Sequence, residues 1–393
     1  MTRSKTAVLA LEDGTIFHGR AFGAKKTAGG ECVFNTSMTG YEEIITDPSY
    51  YMQIVTLTTS QVGNYGITQN DGESETPKIS ALVVRELSPM VSNWRAKEPL
   101  SDYLARHGVP GIVGINTRFL TKLIRNKGTM NACLSTAGIS DEKALQLARS
   151  QKGPADSDYV AAMTTKTAYH FEPGKSEGGL FAVPGTTLPQ REHRQVFRLA
   201  AIDFGAKRSI FRQLHHHGFD VFVLPATSTA EDVLAIKPDA LFLSNGPGDP
   251  ATIHYAHAMV AACIGKLPIF GICLGHQIIA KAIGAETYKL KFGHRGGNHP
   301  VKNLVDNVIL ITSQNHGYAV TADSLERLGA RITEIHLNDN TVSGFCLPGK
   351  DVFCVQYHPE AGPGPHEGSR NFEKFYQMVT CRKKNEARSL TSR

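Results

Sequence analysis

No stretch of this sequence approaches the ~20 consecutive apolar residues that a membrane-spanning helix needs, which argues against a membrane protein. No C-x-x-C pair occurs, and Cys346 and Cys354 stand too far apart for a zinc knuckle. The seven cysteines are odd in number and lack a short-range pairing pattern, so free thiols in a reducing compartment are expected. Charge is sparse as well. Only 20% of residues are charged, the net charge is +6, and Lys and Arg are dispersed rather than gathered in one stripe. A nucleic-acid partner is therefore not expected. Ala7 to Leu11 is too short for a signal-peptide core and runs straight into the turn Glu12-Asp13-Gly14, so a cytoplasmic location is expected. Internal repeats and low-complexity tracts are missing too.

What is present suits a two-domain globular protein: 393 residues, 41% of them hydrophobic. Residues 1–152 alternate short strands and helices, with Gln53–Leu57 and Ile79–Arg85 as strands. Ser101–His107 and Arg118–Asn126 carry helical apolar spacing, the second with Thr117 as N-cap. Periodicity fades over 153–195, which reads as a connecting region with little core of its own. From 196 to 382, strands at Phe197–Phe204, Asp220–Leu224, Ala240–Ser244 and Leu267–Ile272 alternate with helices. That pattern predicts a doubly wound, mostly parallel α/β sheet, which binds ligands outside the carboxyl ends of its strands. Residues 383–393 form a polar tail, expected to be disordered.

The chemistry-bearing motifs fall at those strand ends. Gly271-Ile272-Cys273-Leu274-Gly275 joins an apolar strand to a helix, with small residues permitting a sharp, strained turn that projects the thiol. The helix N-terminus behind it offers partial positive charge and free N–H groups, suited to a thiolate and an oxyanion. The remaining cysteines (Cys32, Cys133, Cys263, Cys346, Cys354 and Cys381) lack such a turn and read as packing or surface residues. A thiol nucleophile needs an imidazole, and the imidazole a carboxylate. Val352 to Tyr357 is a strand ending in His358-Pro359-Glu360; proline takes the chain out of the sheet there, and Glu360 can fix the ring's tautomer. His215-His216-His217, by contrast, reads as a solvated helix cap. Gly246-Pro247-Gly248 follows another strand and presents backbone N–H groups, while no Gly-Lys-Ser/Thr follows to make a Walker-type nucleotide loop. Asn315-His316-Gly317-Tyr318 offers groups suited to an amino acid's α-carboxylate and α-ammonium.

Taken together, G-I-C-L-G-H-Q, S-N-G-P-G-D-P and H-P-E resemble the triad-type glutamine amidotransferase domain, a flavodoxin-like fold. Lys291 to Pro300, and Phe34 to Tyr41 continuing through Thr46 to Tyr50, resemble the carbamoyl-phosphate synthetase small-chain branch of that family over nearly the whole chain. Three departures from its usual pattern are Asn116, Thr58 to Gln61 and Tyr318. The resemblance implies a catalytic triad of Cys273, His358 and Glu360. It implies glutamine contacts at Ser49, Gly246, Gly248, Leu274, Gln277, Asn315, Gly317 and Tyr318, with the oxyanion hole at Leu274 N–H and a glycine of the Gly246–Gly248 loop. No metal and no cofactor are implied for this chain; ATP and magnesium would serve a large-subunit partner in a heterodimer making carbamoyl phosphate for arginine or pyrimidine synthesis. Two rivals remain open: a stand-alone γ-glutamyl hydrolase or peptidase on the same fold, and a catalytically idle interaction subunit.

Overall fold

The computed structural model describes residues 6–68, 70–173 and 194–391. The chain divides into two units, 1–159 with 289–298, and 160–288 with 299–393.

In the N-terminal unit, alternation of small and β-branched residues builds β1 (Thr6–Leu11), β2 (Ile16–Gly23), β3 (Thr27–Asn35) and β4 (Gln53–Leu57). The pair β5 (Gln61–Val62) and β7 (Glu86–Leu87) stands apart. With β6 (Ala81–Val84), β8 (Pro110–Val113) and β9 (Met130–Ser135), the first four close a seven-stranded barrel in the order β1-β2-β8-β6-β4-β3-β9. Closure removes the exposed strand edges that an open sheet of this size would have to protect. One apolar cluster fills it around Leu9, Cys32, Ile54 and Leu134, and a second around Tyr50, Val55 and Leu82 packs outside. The helix Thr117–Lys127 is capped by Asn116, whose Oδ1 accepts the Phe119 N–H at 2.9 Å. The cap is therefore one residue earlier than the expected Thr117, because the amide side chain reaches the orphan N–H that a threonine already inside the helix cannot.

Residues 289–298 group with the barrel unit, although the sequence places them inside the second domain. Phe292 stacks on Phe34 at 6.0 Å, Lys289 pairs with Glu31 at 2.7 Å, and Thr36 N–H donates to Arg295 O. Long-range contacts of this kind leave no periodic trace.

The second unit is a ten-stranded sheet. In chain order its strands are β10 (Tyr169–His170), β11 (Phe197–Asp203), β12 (Phe219–Pro225), β13 (Ala240–Leu243), β14 (Ile269–Ile272), β15 (Thr287–Asn303), β16 (Ile309–Val320), β17 (Arg331–His336), β18 (Val342–Leu347) and β19 (Val352–Val355). They lie in the order β10-β12-β11-β13-β14-β19-β18-β17-β15-β16. The run β12-β11-β13-β14-β19 is parallel, and β18 continues it antiparallel. Apolar clusters cover both faces, one around Leu243, Ile269 and Ile279, the other around Phe242, Phe270 and Phe375. The buried strands thus read as continuous apolar runs. β14 sits at the centre, and its carboxyl end carries Cys273.

Three expectations need correction. The connecting region is partly structured: Val160 and Phe171 enter the cores and β10 pairs with β12, while 174–193 fall outside the described residues. The polar tail continues the helix Arg370–Thr391; Lys383 pairs with Asp239 at 2.7 Å and Arg382 donates to Lys266 O, anchors that hydropathy cannot show. Finally, His217 is buried rather than solvated, its Nδ1 2.8 Å from Gln213 O and its ring stacked on Phe372.

Candidate active site

Cys273 ends β14 and caps the helix Leu274–Ala282 with φ 53° and ψ −101°. A β-carbon makes that conformation costly, roughly 1–3 kcal/mol, so the surroundings must enforce it. Two bonds do so: Cys273 N–H donates to Val355 O at 2.9 Å, and Gly275 N–H to Ser244 O at 3.0 Å. The flanking glycines are sterically required. A Cβ on Gly275 would lie 2.3 Å from Leu243 O, and one on Gly271 2.7 Å from Ile279 Cδ1. Between the two committed donors lies Leu274 N–H, at the helix start where no intrahelical acceptor exists.

His358 follows β19 and pairs with β16 at Ser313, its N–H donating to Ser313 O at 2.9 Å. Its Nδ1 lies 2.6 Å from Glu360 Oε1, and both side chains are buried. The bond to the carboxylate leaves Nε2 as the ring's working nitrogen. Nε2 has no hydrogen-bond partner among the described residues, and Cys273 is a neighbour that favours the protonated ring. Burial pulls the His358 pKa down, but Glu360 and Cys273 outweigh it and raise it to about 10. Burial likewise pushes the Glu360 carboxyl up, yet Lys207 and His358 hold it down at about 2.

Lys207 was not foreseen. Its ammonium lies 3.0 Å from Glu360 Oε1 and donates to Ala361 O, with both side chains of the pair buried. Asp203 Oδ1 accepts the Gly205 and Ala206 N–H groups, forming the turn that delivers it, and Asn245 Oδ1 accepts the Lys207 N–H at 3.0 Å. The available signal was its position, a lysine just past a strand at the motif-bearing edge of the sheet.

The loop after β13 carries Gly246 and Gly248. A Cβ on Gly246 would meet Phe204 O at 2.3 Å, and Gly248 has φ 98°. Asn315, Gly317 and Tyr318 lie on β16, and Asn315 O is 3.6 Å from Cys273 Sγ. Gln277 donates from Nε2 to Tyr318 O at 2.9 Å and to Gln356 Oε1 at 3.0 Å, tying the nucleophile helix to β16. Ser49 belongs to the barrel unit, in the buried turn Pro48–Tyr50, where its N–H donates to Asp47 Oδ1. His276, inside the nucleophile motif, is no base: burial pushes its pKa to about 3, and its ring packs edge-on against Phe345.

A strained cysteine at the head of a helix, an imidazole and a buried carboxylate at the carboxyl edge of a parallel sheet define a class-I glutamine amidotransferase. The family model of that class, "Glutamine amidotransferase class-I", matches residues 200–378, and "Carbamoyl-phosphate synthase small chain, CPSase domain" matches residues 9–134. Proteins named carbamoyl phosphate synthase small chain are 51% identical over 97% of this chain and 100% of the relative in Akkermansia muciniphila, and 47% identical over 95% and 97% in Escherichia coli K12. The Syntrophotalea carbinolica protein of that name is 47% identical over 95% of this chain and 97% of its own. The chain belongs to the carbamoyl-phosphate synthase small-chain family, the glutamine-hydrolysing subunits of that synthase, and membership implies a large-subunit partner. Among the described residues, no helix is long and apolar enough to cross a membrane.

Proposed function

We propose that Cys273 hydrolyses L-glutamine through a γ-glutamyl thioester and that the released ammonia is consumed by the large subunit. The observation that carries this reading is the strained Cys273 turn beside the buried His358–Glu360 pair. Cys273 sulfur attacks the side-chain carboxamide carbon. Leu274 N–H, with a glycine N–H of the Gly246–Gly248 loop, holds the developing oxyanion, a contribution of roughly 3–4 kcal/mol for one such donor. His358 Nε2 passes its proton to the leaving nitrogen, and the C–N bond breaks to give ammonia and the thioester. Water then attacks, losing a proton to the same nitrogen, and glutamate leaves as the thiol re-forms. Glu360, itself held by Lys207, keeps the ring oriented and stabilises its charge.

Glutamine contacts are assigned to Gly246, Gly248, Leu274, Gln277, Asn315, Gly317, Tyr318 and, from the family resemblance, Ser49. Gln277 acts through orientation, since its amide nitrogen is committed to Tyr318 and Gln356. This chain is proposed to work without a cofactor, in the cytoplasm. The large subunit would use bicarbonate, ATP and magnesium, supplying arginine or pyrimidine synthesis.

Quenching the chain in acid during glutamine turnover and mapping the adduct by mass spectrometry tests the chemistry. A γ-glutamyl mass on Cys273, lost in His358→Asn, is expected. Sustained ammonia release by Cys273→Ser would overturn it.

A further inference from the structure

The side-chain amide of Gln277 has one fixed orientation, and Gln356, which completes it, is not among the glutamine contacts. Gln277 stands one helical turn after Cys273, its N–H donating to Cys273 O at 3.2 Å, so both residues share a face of the helix Leu274–Ala282. Side chains on a helix lean toward its N-terminus, which here is the nucleophile. Tyr318 O is a backbone carbonyl and can only accept, so the Gln277 atom 2.9 Å from it must be the nitrogen Nε2. That nitrogen can only donate. The Gln356 atom facing it at 3.0 Å is therefore the oxygen Oε1. With both amide protons given to Tyr318 O and Gln356 Oε1, the Gln277 side chain keeps only its own Oε1 for a ligand.

Gln356 is 1% exposed, and its own Nε2 has no hydrogen-bond partner among the described residues. A buried amide nitrogen left unpaired costs stability, so packing alone would favour an apolar side chain just past β19. The backbone there is pinned: Gln356 N–H donates to Ser343 O at 2.8 Å, and Val355 O, one residue earlier, accepts the Cys273 N–H. What the Gln356 amide supplies is the acceptor that holds Gln277.

We propose that Gln356 is a positioning residue that sets substrate specificity: it locks the Gln277 amide so that Oε1 meets the α-ammonium of glutamine. A carbonyl oxygen accepts from an ammonium and repels a carboxylate, so a flipped Gln277 would offer the substrate the wrong group. Without Gln356 Oε1, one of the two bonds that exclude the flip is gone. The proposal rests on the reading of Cys273 as a glutaminase nucleophile and adds how the amino-acid end of the substrate is recognised.

The test compares L-glutamine with glutaramate, which has the same carboxamide and carboxylate but no α-ammonium. Ammonia release by the complex with the large subunit gives kcat and KM for each. Wild type should prefer glutamine in kcat/KM by about 100-fold or more, because a site built around one polar group rejects the analogue that lacks it. Gln356→Met should raise the glutamine KM about tenfold or more while kcat stays within about threefold and the glutaramate KM within about twofold. Gln277→Leu should lose the preference as well, and adding Gln356→Met to it should cost nothing further, since the two residues act as one unit. Gln356→Glu, of the same shape and still an acceptor, should restore most of the preference. Alkylation of Cys273 by iodoacetamide, which has no α-ammonium, reports that the elbow is folded. If Gln356→Met fails that check, Gln356→Ala takes its place under the same criteria. A loss of rate shared equally by both substrates would make Gln356 a packing residue and overturn the proposal, as would an unchanged preference in Gln277→Leu. Both of those results leave the glutaminase reading standing. No hydrolysis of glutamine by the wild-type complex would overturn that reading and the proposal with it.

Discussion

Lys207 and Glu360 form an ion pair at 3.0 Å in which neither side chain is exposed to solvent. Desolvating two charges costs several kcal/mol, and the pair persists because each ion has a second partner: His358 for the carboxylate, Ala361 O for the ammonium. The imidazole and the ammonium thus converge on one carboxylate oxygen, Glu360 Oε1.

Removing the ammonium should therefore hurt stability as well as rate. Lys207→Met is expected to lose about 3–5 kcal/mol at neutral pH, measured by urea unfolding, because it strands a buried carboxylate. The sign of the pH dependence follows from Glu360. Its folded pKa of about 2 lies below the ordinary 4.5, so its contribution is complete above pH 4.5 and is lost as pH falls through about 2. The difference between variant and wild type should shrink over that window. Equal stabilities at pH 7 would contradict the account.

The His358 ring should remain protonated well above neutrality. Its folded pKa of about 10 exceeds the ordinary 6.5, so its stabilising contribution is complete below pH 6.5 and is lost as pH rises through about 10. Nitrogen-15 NMR of the labelled ring should show an imidazolium at pH 8. In Glu360→Gln the carboxylate that opposes desolvation is gone, and the ring should titrate far lower. A neutral ring at pH 8 in wild type would refute the ion-pair description.

Cys273→Ser should abolish glutamine-dependent carbamoyl phosphate formation by the complex while sparing formation from added ammonia. Only the first route needs the thiol. Steady-state assays with each nitrogen source decide it, and glutamine turnover within tenfold of wild type would remove Cys273 from its role.

Gly275→Ala tests the turn itself. The added methyl would lie 2.3 Å from Leu243 O, a backbone atom fixed in the central sheet, so the nucleophile helix must shift. A loss of about 1–3 kcal/mol in stability is expected from the overpacking. A displacement of ~1 Å at Cys273 would cost about 100-fold in acylation rate. Single-turnover trapping with a glutamine analogue measures it, and an unchanged rate would mean that the glycine serves only the fold.

Much of this was legible in the residues, for stated reasons. The parallel sheet showed because each strand is a short apolar run, and Cys273 showed because only a tight turn needs small residues on both sides of a thiol. His358 and Glu360 showed because Pro359 ends the strand between them. Lys207 did not, since 153 positions separate it from Glu360 and a lone lysine has no pattern. Nor did barrel closure, or the membership of 289–298 in the barrel unit, since both depend on pairings between distant segments.

Local stereochemistry and hydrophobic period act over a few residues, and the sequence by itself determined what they govern: the strands, the elbow and the loop glycines, with Cys273, His358 and Glu360 singled out as the candidate triad. Tertiary structure alone decided which charges share a buried site. It brought Lys207 to Glu360, set Asn315 O 3.6 Å from Cys273 Sγ, and left Trp94 in water while other aromatics entered the core. The reason is that desolvation and Coulomb energies depend on separation in space, which chain order does not encode.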